Sequence, residues 1–223
     1  MSRYRKHIFP IPIYHGTVEN NDKLKQLLIP YIEEAKKDTS KNKPPDAWLT
    51  NSLVTSFKND EVTETLWNPE NDLGKEIRYQ YLKLIDGFFV MEPWEINIEH
   101  IWYNYYIDGQ WQEPHKHLSG GLSHSHFAFV HFLSYNPKIH SPLSFNDPLE
   151  THRSISPEID PSNDYGGKYQ PKVKEGDVVM FPTWLEHEVK PGKPTPDYPR
   201  ISIAMNFRLE TYGDYSESMS DGY

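Results

Sequence analysis

Residues 102–117 read WYNYYIDGQWQEPHKH, an aromatic extended run followed by a turn and two closely spaced histidines. Side chains at positions i and i+2 of a β-strand point to the same side of the sheet. His115 and His117 can therefore direct two imidazole nitrogens toward one point. This arrangement predicts one wall of a metal site, to which other parts of the chain must bring further ligands.

Length and composition favour a single, turn-rich β domain. The chain has 223 residues, of which 36% are hydrophobic and 14% aromatic, and it contains 19 prolines and 12 glycines. Aromatic side chains suit strands, whereas proline and glycine suit the turns between them. Since no linker-like stretch interrupts the chain, we expect one domain over residues 1–211. It would have helical support in 17–90, a β core in 94–209 and a polar tail in 212–223.

Charge, cysteine content and hydropathy exclude several classes of protein. Lysine and arginine number 23 against 32 aspartates and glutamates, and the net charge of −9 disfavours non-specific binding to nucleic acid. The chain has no cysteine, so it has no disulfide, thiolate metal site or cysteine nucleophile. No stretch approaches the roughly 18 apolar residues of a transmembrane helix, and the N-terminus lacks an apolar run of signal-peptide length. We therefore expect a soluble, intracellular protein without a membrane partner.

Hydrophobic spacing predicts two helices followed by many short strands. A first helix begins near Asn21 and is broken or restarted by Pro30, and a second, capped by Asn71 or Asp72, continues to Phe88. From residue 94 the period changes to two, and one face of a long strand is expected to carry Ile96, Ile98, Trp102, Asn104 and Tyr106. Further strands are expected at 126–135, 143–145, 177–181, 186–189 and 200–208. This pattern indicates an antiparallel sandwich or barrel with the helices packed outside a sheet.

Two other stretches have a simpler interpretation. Residues 7–13 predict an apolar edge strand interrupted by prolines. Residues 148–172 are polar and without period, which is typical of a lid or a disordered loop.

The strand expected at 200–208 has a polar face suited to an anion. Its apolar side chains alternate with Arg200, Ser202, Ala204, Asn206 and Arg208. A guanidinium group with a nearby hydroxyl can hold a carboxylate, provided that this face lines the inside of a barrel. If the face is exposed, the same side chains are simply solvated.

His187 is the candidate third ligand, because it follows a short buried strand and lies thirteen residues ahead of Arg200. His124 and His126 form a second i, i+2 pair and remain an alternative pair of ligands. His131 lies in the middle of a strand and is expected in the core or next to the site. Trp111 and Trp184 either frame the opening of the site or pack as ordinary core residues.

The order of these elements resembles the iron(II)/2-oxoglutarate dioxygenases, and most closely a family of 2OG-Fe(II) oxygenases found in phages and marine bacteria. The resemblance covers roughly residues 94–208. It rests on Trp102-x-Asn104, Gly109, His115-x-His117, Phe129–Leu133, Phe145–Pro148, Glu175-Gly176, Phe181–His187, Arg200-x-Ser202 and Asn206-Phe207.

This resemblance implies a mainly β fold with flanking helices, namely a double-stranded β-helix (a cupin-like jelly roll) with N-terminal helices packed on the major sheet. It implies iron(II) held by His115, His187 and position 117. It also implies 2-oxoglutarate bound by Arg200 and Ser202, with Asn104 and Tyr106 lining the cosubstrate pocket and Trp111, His131 and Asn206 as further pocket candidates. The implied reaction couples decarboxylation of 2-oxoglutarate to succinate with hydroxylation of a C–H bond.

Position 117 departs from the usual pattern of two histidines and one carboxylate. Either a three-histidine site is used, or Glu113 or Glu186 enters as a ligand. The i, i+2 geometry favours His117, and Glu186 would point away from His187 on a shared strand. Two other functions remain as alternatives: a cupin-like three-histidine metalloprotein that does not use 2-oxoglutarate, and a non-catalytic jelly-roll module.

The substrate is left open among a protein side chain, a nucleotide and a small metabolite. Its selectivity is expected to depend on residues 118–126 and 148–172. The oligomeric state is also open, with a dimer as one option. The resemblance favours the cytoplasm of a bacterium or of a phage-infected host.

Overall fold

Two antiparallel sheets face each other, and helices cover the outer side of the larger sheet. The computed structural model of the protein describes residues 11–89, 94–117, 125–149 and 167–211. The helices in this part of the chain are α1 (Asn21–Ala35), α2 (Asp60–Trp67) and α3 (Asp72–Phe88). The strands are β1 (Tyr14–Thr17), β2 (Val54–Thr55), β3 (Trp94–Tyr106), β4 (Gln112–His115), β5 (Phe127–Ser134), β6 (Leu143–Asn146), β7 (Lys168–Tyr169), β8 (Asp177–Pro182), β9 (His187–Val189) and β10 (Arg200–Thr211).

The larger sheet has six strands in the order β1-β8-β5-β10-β3-β2, and the smaller sheet has four in the order β4-β9-β6-β7. Every pair of neighbouring strands is antiparallel. This architecture confirms the predicted mainly β jelly roll with flanking helices. One hydrophobic core fills the space between the helices and the larger sheet, and a second fills the space between the two sheets.

The two predicted helices are present, and each begins at an asparagine cap. The Asn20 side chain accepts a hydrogen bond from the Lys23 N–H at 3.0 Å at the start of α1, and Asn71 accepts one from the Gly74 N–H at 2.7 Å at the start of α3. The expectation that Pro30 breaks α1 is wrong, because the helix continues to Ala35. Pro30 lies on the exposed face, where water can replace the hydrogen bond that proline removes.

Several elements are too short or too polar for the sequence pattern to indicate them. They are α2, for which no helix was expected, and the strands β1, β2 and β7, each of four residues or fewer. The edge strand expected at 7–13 is instead β1; residues 7–10 lie outside the described residues, and 11–13 are not in a strand. Of the loop expected at 148–172, residues 150–166 lie outside the described residues and 168–169 form β7. The tail at 212–223 also lies outside them.

A β-bulge at Glu99 corrects the predicted face of β3. Asn206 of β10 pairs with His100 and the next residue, Phe207, pairs with Ile98, so Glu99 is an extra residue on β3. An inserted residue reverses the alternation beyond it. Ile96 and Ile98 therefore pack toward the helices together with Ile101, Tyr103 and Tyr105. The other set, Trp102, Asn104 and Tyr106, faces the space between the sheets.

His131 is fully buried on the helix side of β5. Its Nδ1 lies 2.9 Å from the Tyr81 hydroxyl and its Nε2 lies 2.9 Å from the Asn21 side-chain oxygen. These contacts join β5 to α1 and α3. Burial lowers the pKa of His131 to about 3, so the imidazole is neutral in the folded protein at neutral pH.

We expect His131 to make the protein less stable in acid. The unfolded chain takes up a proton on this imidazole near its ordinary pKa of about 6.5, whereas the folded chain does not until about pH 3. The stabilising contribution is complete above pH 6.5 and is lost as the pH falls from there toward 3. Between these limits, the free energy of unfolding should change by about 1.4 kcal/mol per pH unit more in the wild type than in His131→Asn. Urea unfolding at several pH values measures the difference, and equal slopes would contradict it.

Candidate metal and carboxylate site

Three histidines converge between the two sheets. His115 is the last residue of β4, His187 is the first residue of β9, and the two are cross-strand partners. His117 follows β4, where its backbone N–H donates to the Thr183 carbonyl at 2.9 Å. The ring centroids of His115 and His117 lie 4.2 and 4.8 Å from that of His187. One ligand nitrogen from each ring lies within 4.8 Å of the others, so the three could hold one metal ion.

Each of the three imidazoles has its outer nitrogen, Nδ1, next to a hydrogen-bond acceptor. In every ring Nδ1 faces an oxygen that can accept its proton: the Glu113 carbonyl for His115 at 2.7 Å, the Asn206 Oδ1 for His117 at 2.6 Å and the Leu185 carbonyl for His187 at 3.0 Å. A neutral imidazole with its proton on Nδ1 has a lone pair on Nε2. Outer hydrogen bonds of this kind orient metal-binding histidines in proteins.

The spacing of two Nε2 atoms fits a shared cation. The Nε2 atoms of His115 and His117 lie 3.3 Å apart. Because both rings carry their proton on Nδ1, two lone pairs face each other at this distance. Two nitrogens bound to one ion at about 2.1 Å, with an angle of roughly 90–110° between them, lie about 3.0–3.4 Å apart. A metal ion between these rings would therefore remove a repulsive contact.

Burial keeps these ligands neutral. Loss of hydration lowers the pKa of His117 to about 3, and the neighbouring His115 adds to this effect. Burial likewise lowers the pKa of His115, and it lowers that of His187 well below the ordinary value. Since only the unprotonated imidazole binds a metal, the site is ready for an ion at neutral pH.

No carboxylate joins this group among the residues that the structure describes. The Glu113 carboxylate accepts hydrogen bonds from the Leu49 N–H at 2.8 Å and the Thr50 N–H at 3.4 Å. Glu186 accepts one from the Asn146 side chain at 2.7 Å. Both alternatives to His117 are thus committed to other partners.

Arg200 lies in a cavity that opens beside the histidines. The cavity is lined by Asn104, Tyr106, His117, His187, Arg200 and Ser202, among others. Arg200 is only 2% exposed. Its Nε donates to the Ser141 carbonyl at 3.2 Å, and its guanidinium carbon lies 4.6 Å from the centre of the Tyr106 ring. A buried positive charge held in this way calls for an anionic partner.

Three of the residues that line this cavity each have a buried polar atom with no hydrogen-bond partner among the described residues. The atoms are Nη1 of Arg200, Oδ1 of Asn104 and Nε1 of Trp102. Buried polar groups in native proteins are nearly always hydrogen-bonded. A polar ligand is therefore expected here, and an anion with several oxygens suits the guanidinium group best.

Other sequence candidates lie elsewhere. His131 contacts the helices and does not line the cavity, because the alternation of β5 turns it to the other face. Trp111 is half-buried and is not part of the cavity lining, and Trp184 is 43% exposed. His126 is exposed and accepts a hydrogen bond from the Leu209 N–H at 3.3 Å, while His124 lies outside the described residues.

Sequence reasoning missed two residues of the cavity. Trp102 lies on the same face of β3 as Asn104 and Tyr106, and this spacing could have identified it. Gln112 also lines the cavity and accepts a hydrogen bond from the Tyr106 hydroxyl at 3.1 Å. No sequence pattern singled out Gln112, because its role depends on how β4 lies against β3.

Replacing Asn206 with leucine should weaken metal binding about tenfold to 100-fold, because His117 would lose the oxygen that accepts its Nδ1 proton. Asn206→Asp keeps an acceptor at this position and should retain wild-type affinity or exceed it. Anaerobic titration with cobalt(II) measures both variants. An equal loss in the two would show that Asn206 acts in some other way than by accepting this proton.

The family comparison covers the segment that contains the three histidines, Arg200 and Asn206. Residues 100–206 match a family model described as "Putative 2OG-Fe(II) oxygenase". No curated protein matches the sequence.

Solved structures share the fold at low sequence identity. A viral collagen prolyl hydroxylase from Paramecium bursaria Chlorella virus-1, in complex with 2OG, is 12% identical with a TM-score of 0.52, over 88% of this chain and 95% of that one. A prolyl-4-hydroxylase from Pseudomonas putida is 14% identical with a TM-score of 0.50, over 89% and 92%. The alpha-ketoglutarate-dependent carbocyclase SnoK from nogalamycin biosynthesis is 12% identical with a TM-score of 0.59, over 88% and 79%.

Proposed function

We propose that the chain is a 2OG-Fe(II) oxygenase in which His115, His117 and His187 hold the iron and Arg200 holds 2-oxoglutarate; the family match over residues 100–206 supports the class. Enzymes of this class are oxidoreductases that couple the decarboxylation of 2-oxoglutarate to oxidation of a second substrate. Dioxygen is the oxidant, and iron(II) and 2-oxoglutarate would activate it when both are bound: one oxygen atom enters succinate as carbon dioxide is lost, and the other serves to oxidise the substrate.

One observation carries this assignment of residues. Three neutral imidazoles form one group that could hold a metal, two of them, His117 and His187, line the cavity, and the same cavity is lined by a buried guanidinium group whose Nη1 has no partner among the described residues. A metal ion satisfies the first set, and a carboxylate satisfies the second. 2-Oxoglutarate joins the two requirements in one molecule, because it has an oxo-acid end that can chelate a metal and a second carboxylate beyond it.

The remaining residues of the cavity hold and shield the cosubstrate. Ser202 adds a hydroxyl donor beside Arg200, and Tyr106 covers the guanidinium group with its ring. Asn206 is not part of the cavity lining; it accepts the hydrogen bond from Nδ1 of His117 and so keeps Nε2 available for the metal. Aromatic and aliphatic neighbours exclude water, which strengthens the ionic contacts in the cavity.

Domain extent, compartment and substrate belong to the same proposal. The helix-side core packs directly on the larger sheet, which supports one domain over residues 1–211. The described helices are all too short or too polar to span a membrane. We place the protein in the cytoplasm of a bacterium or of a phage-infected host. Its substrate is to be sought among protein side chains, nucleotides and small metabolites.

An anaerobic titration tests the assignment. Iron(II) and then 2-oxoglutarate are added to the protein, and the weak visible charge-transfer band of the ternary complex is followed. Admission of oxygen should then yield succinate in proportion to the 2-oxoglutarate consumed. Metal binding without binding of 2-oxoglutarate would favour a cupin-like metalloprotein that does not use this cosubstrate. Binding of neither would favour a non-catalytic module.

A further inference from the structure

The cavity floor is a ladder of side chains from two paired strands. Tyr106 of β3 pairs with Arg200 of β10, Asn104 pairs with Ser202, and Trp102 pairs with Ala204. All six side chains line the cavity. Successive pairs on one face of a sheet are about 6.8 Å apart along the strand. The floor therefore has a cationic end at Arg200 and an indole end at Trp102.

The indole end lies beside the histidines. The Trp102 ring centroid is 5.6 Å from that of His117, and Trp102 is only 2% exposed. Its Nε1–H has no acceptor among the described residues. An indole N–H donates but cannot accept, so this position needs an oxygen or nitrogen with a free lone pair.

The neighbouring side chains cannot supply that lone pair once a metal is bound. The Nδ1–H of His117 donates a hydrogen bond to Asn206 Oδ1, and the Nε2 of His117 faces the proposed metal position. Ala204, the cross-strand partner of Trp102, has no polar atom in its side chain. The other ring neighbours offer no acceptor either, because Phe57 has no polar side-chain atom and both nitrogens of His100 have other partners. Among the described residues none supplies the acceptor for Trp102, and a ligand that enters the cavity can supply it.

We infer that Trp102 is a cosubstrate-binding residue whose indole N–H donates to an oxygen at the oxo-acid end of 2-oxoglutarate. This inference rests on the proposed function, in which Arg200 binds the opposite carboxylate. The two ends of the ladder then recognise the two ends of one molecule. Trp102 places the oxo-acid end of 2-oxoglutarate beside the histidines. The same molecule then supplies an acceptor for the indole N–H and an anion for the guanidinium group.

The indole proton itself gives a direct readout. Zinc(II) is a redox-inert replacement for iron, so the full chain can be loaded with zinc, labelled with ¹⁵N and titrated with 2-oxoglutarate. The Trp102 Nε1–H resonance is identified as the indole signal that is missing in Trp102→Phe. We expect 2-oxoglutarate to move this resonance downfield, as a new hydrogen bond does, and to slow its exchange with solvent.

The variant gives a second, independent measurement. Trp102→Phe keeps an aromatic ring in the core but removes the donor, so it should bind 2-oxoglutarate about tenfold more weakly and zinc as tightly as the wild type. Trp48→Phe is the matched control. Trp48 is half-buried, lies 6.2 Å from His115 between ring centroids and is outside the cavity lining. This control should bind both zinc and 2-oxoglutarate like the wild type.

The outcomes separate this inference from the proposed function. If 2-oxoglutarate binds the zinc-loaded wild type but leaves the Trp102 resonance unmoved, the inference is wrong and the proposed function stands. Equal 2-oxoglutarate affinity in Trp102→Phe and the wild type overturns it in the same way. If 2-oxoglutarate does not bind the zinc- or iron-loaded wild type at all, the proposed function itself fails.

Discussion

Arg200→Ala should lose binding of 2-oxoglutarate by about 3 kcal/mol, or roughly 100-fold, and should lose succinate formation to a similar extent. The guanidinium group is 2% exposed, its Nη1 has no partner among the described residues, and the closest aromatic ring centre lies 4.6 Å from its central carbon. Among the described residues that line the cavity, no other cationic side chain could pair with the cosubstrate carboxylate. Iron(II) affinity should stay close to that of the wild type, because none of the three histidines contacts Arg200. Isothermal titration of the metal-loaded protein, without oxygen, measures both affinities.

Arg208→Ala is the matched control for this experiment. Arg208 lies on the same strand but at the outer end, where its side chain is 39% exposed and forms an ion pair with Glu210 at 2.6 Å. Its removal should leave the affinity for 2-oxoglutarate within about twofold, as is usual for an exposed ion pair. Arg200→Lys adds a second comparison, since it keeps the charge and loses the two-pronged geometry. Unchanged succinate formation in Arg200→Ala would remove Arg200 from the assignment.

His187→Ala should abolish metal binding in the micromolar range, with a loss of affinity greater than the tenfold to 100-fold that follows removal of an outer hydrogen-bond partner. His187 is 3% exposed, its ring centroid lies within 4.8 Å of both other centroids, and no fourth histidine, aspartate or glutamate of the described residues joins this group. Two imidazoles would remain where three are needed for a stable site. Cobalt(II) titration, followed by the visible spectrum of the bound ion, measures the loss.

His117→Ala decides whether the third ligand is an imidazole. If three histidines bind the metal, this variant should lose affinity as His187→Ala does. If a carboxylate completes the site instead, His117→Ala should bind the metal nearly as well as the wild type. His126→Ala is the control, because His126 is exposed and contacts the Leu209 N–H outside the site. If His126→Ala loses metal affinity and His187→Ala does not, the result would favour His124 and His126 as the ligand pair.

Much of the site follows from local geometry and could be predicted without the fold. The i, i+2 spacing brings His115 and His117 to the same place, and the alternation of β10 puts Arg200 and Ser202 on the cavity side while Ile201 and Ile203 enter the helix-side core. Asn104 and Tyr106 of β3 line the same cavity; their place beside the cosubstrate came from the family resemblance and stays a prediction. The family resemblance supplied the jelly roll and the reaction class, since patterns of short strands alone fit several sandwiches and barrels.

Sequence-based predictions failed where a contact between distant parts of the chain overrides a local pattern. The alternation of β3 fails at Glu99, because the pairing with β10 inserts one extra residue that no propensity indicates. His131 was expected in the core or next to the site, and which of the two applies depends on non-local contacts: the structure pairs it with Tyr81 and Asn21 in the helix-side core. Pro30 was expected to break α1, but its exposed position makes the missing hydrogen bond inexpensive.

The chain order alone thus determines which residues can act: two aligned histidines, a distant third and an arginine on an alternating strand. These features depend on the two-residue period of a strand, which is independent of the rest of the fold. Only the packed structure determines their chemical state. The proton on His117 is directed by Asn206, 89 residues away, and the free donors of Trp102 and Arg200 exist because the surrounding strands bury them without a partner. Burial and hydrogen-bond partners come from strands far apart in sequence, so no local pattern carries this information.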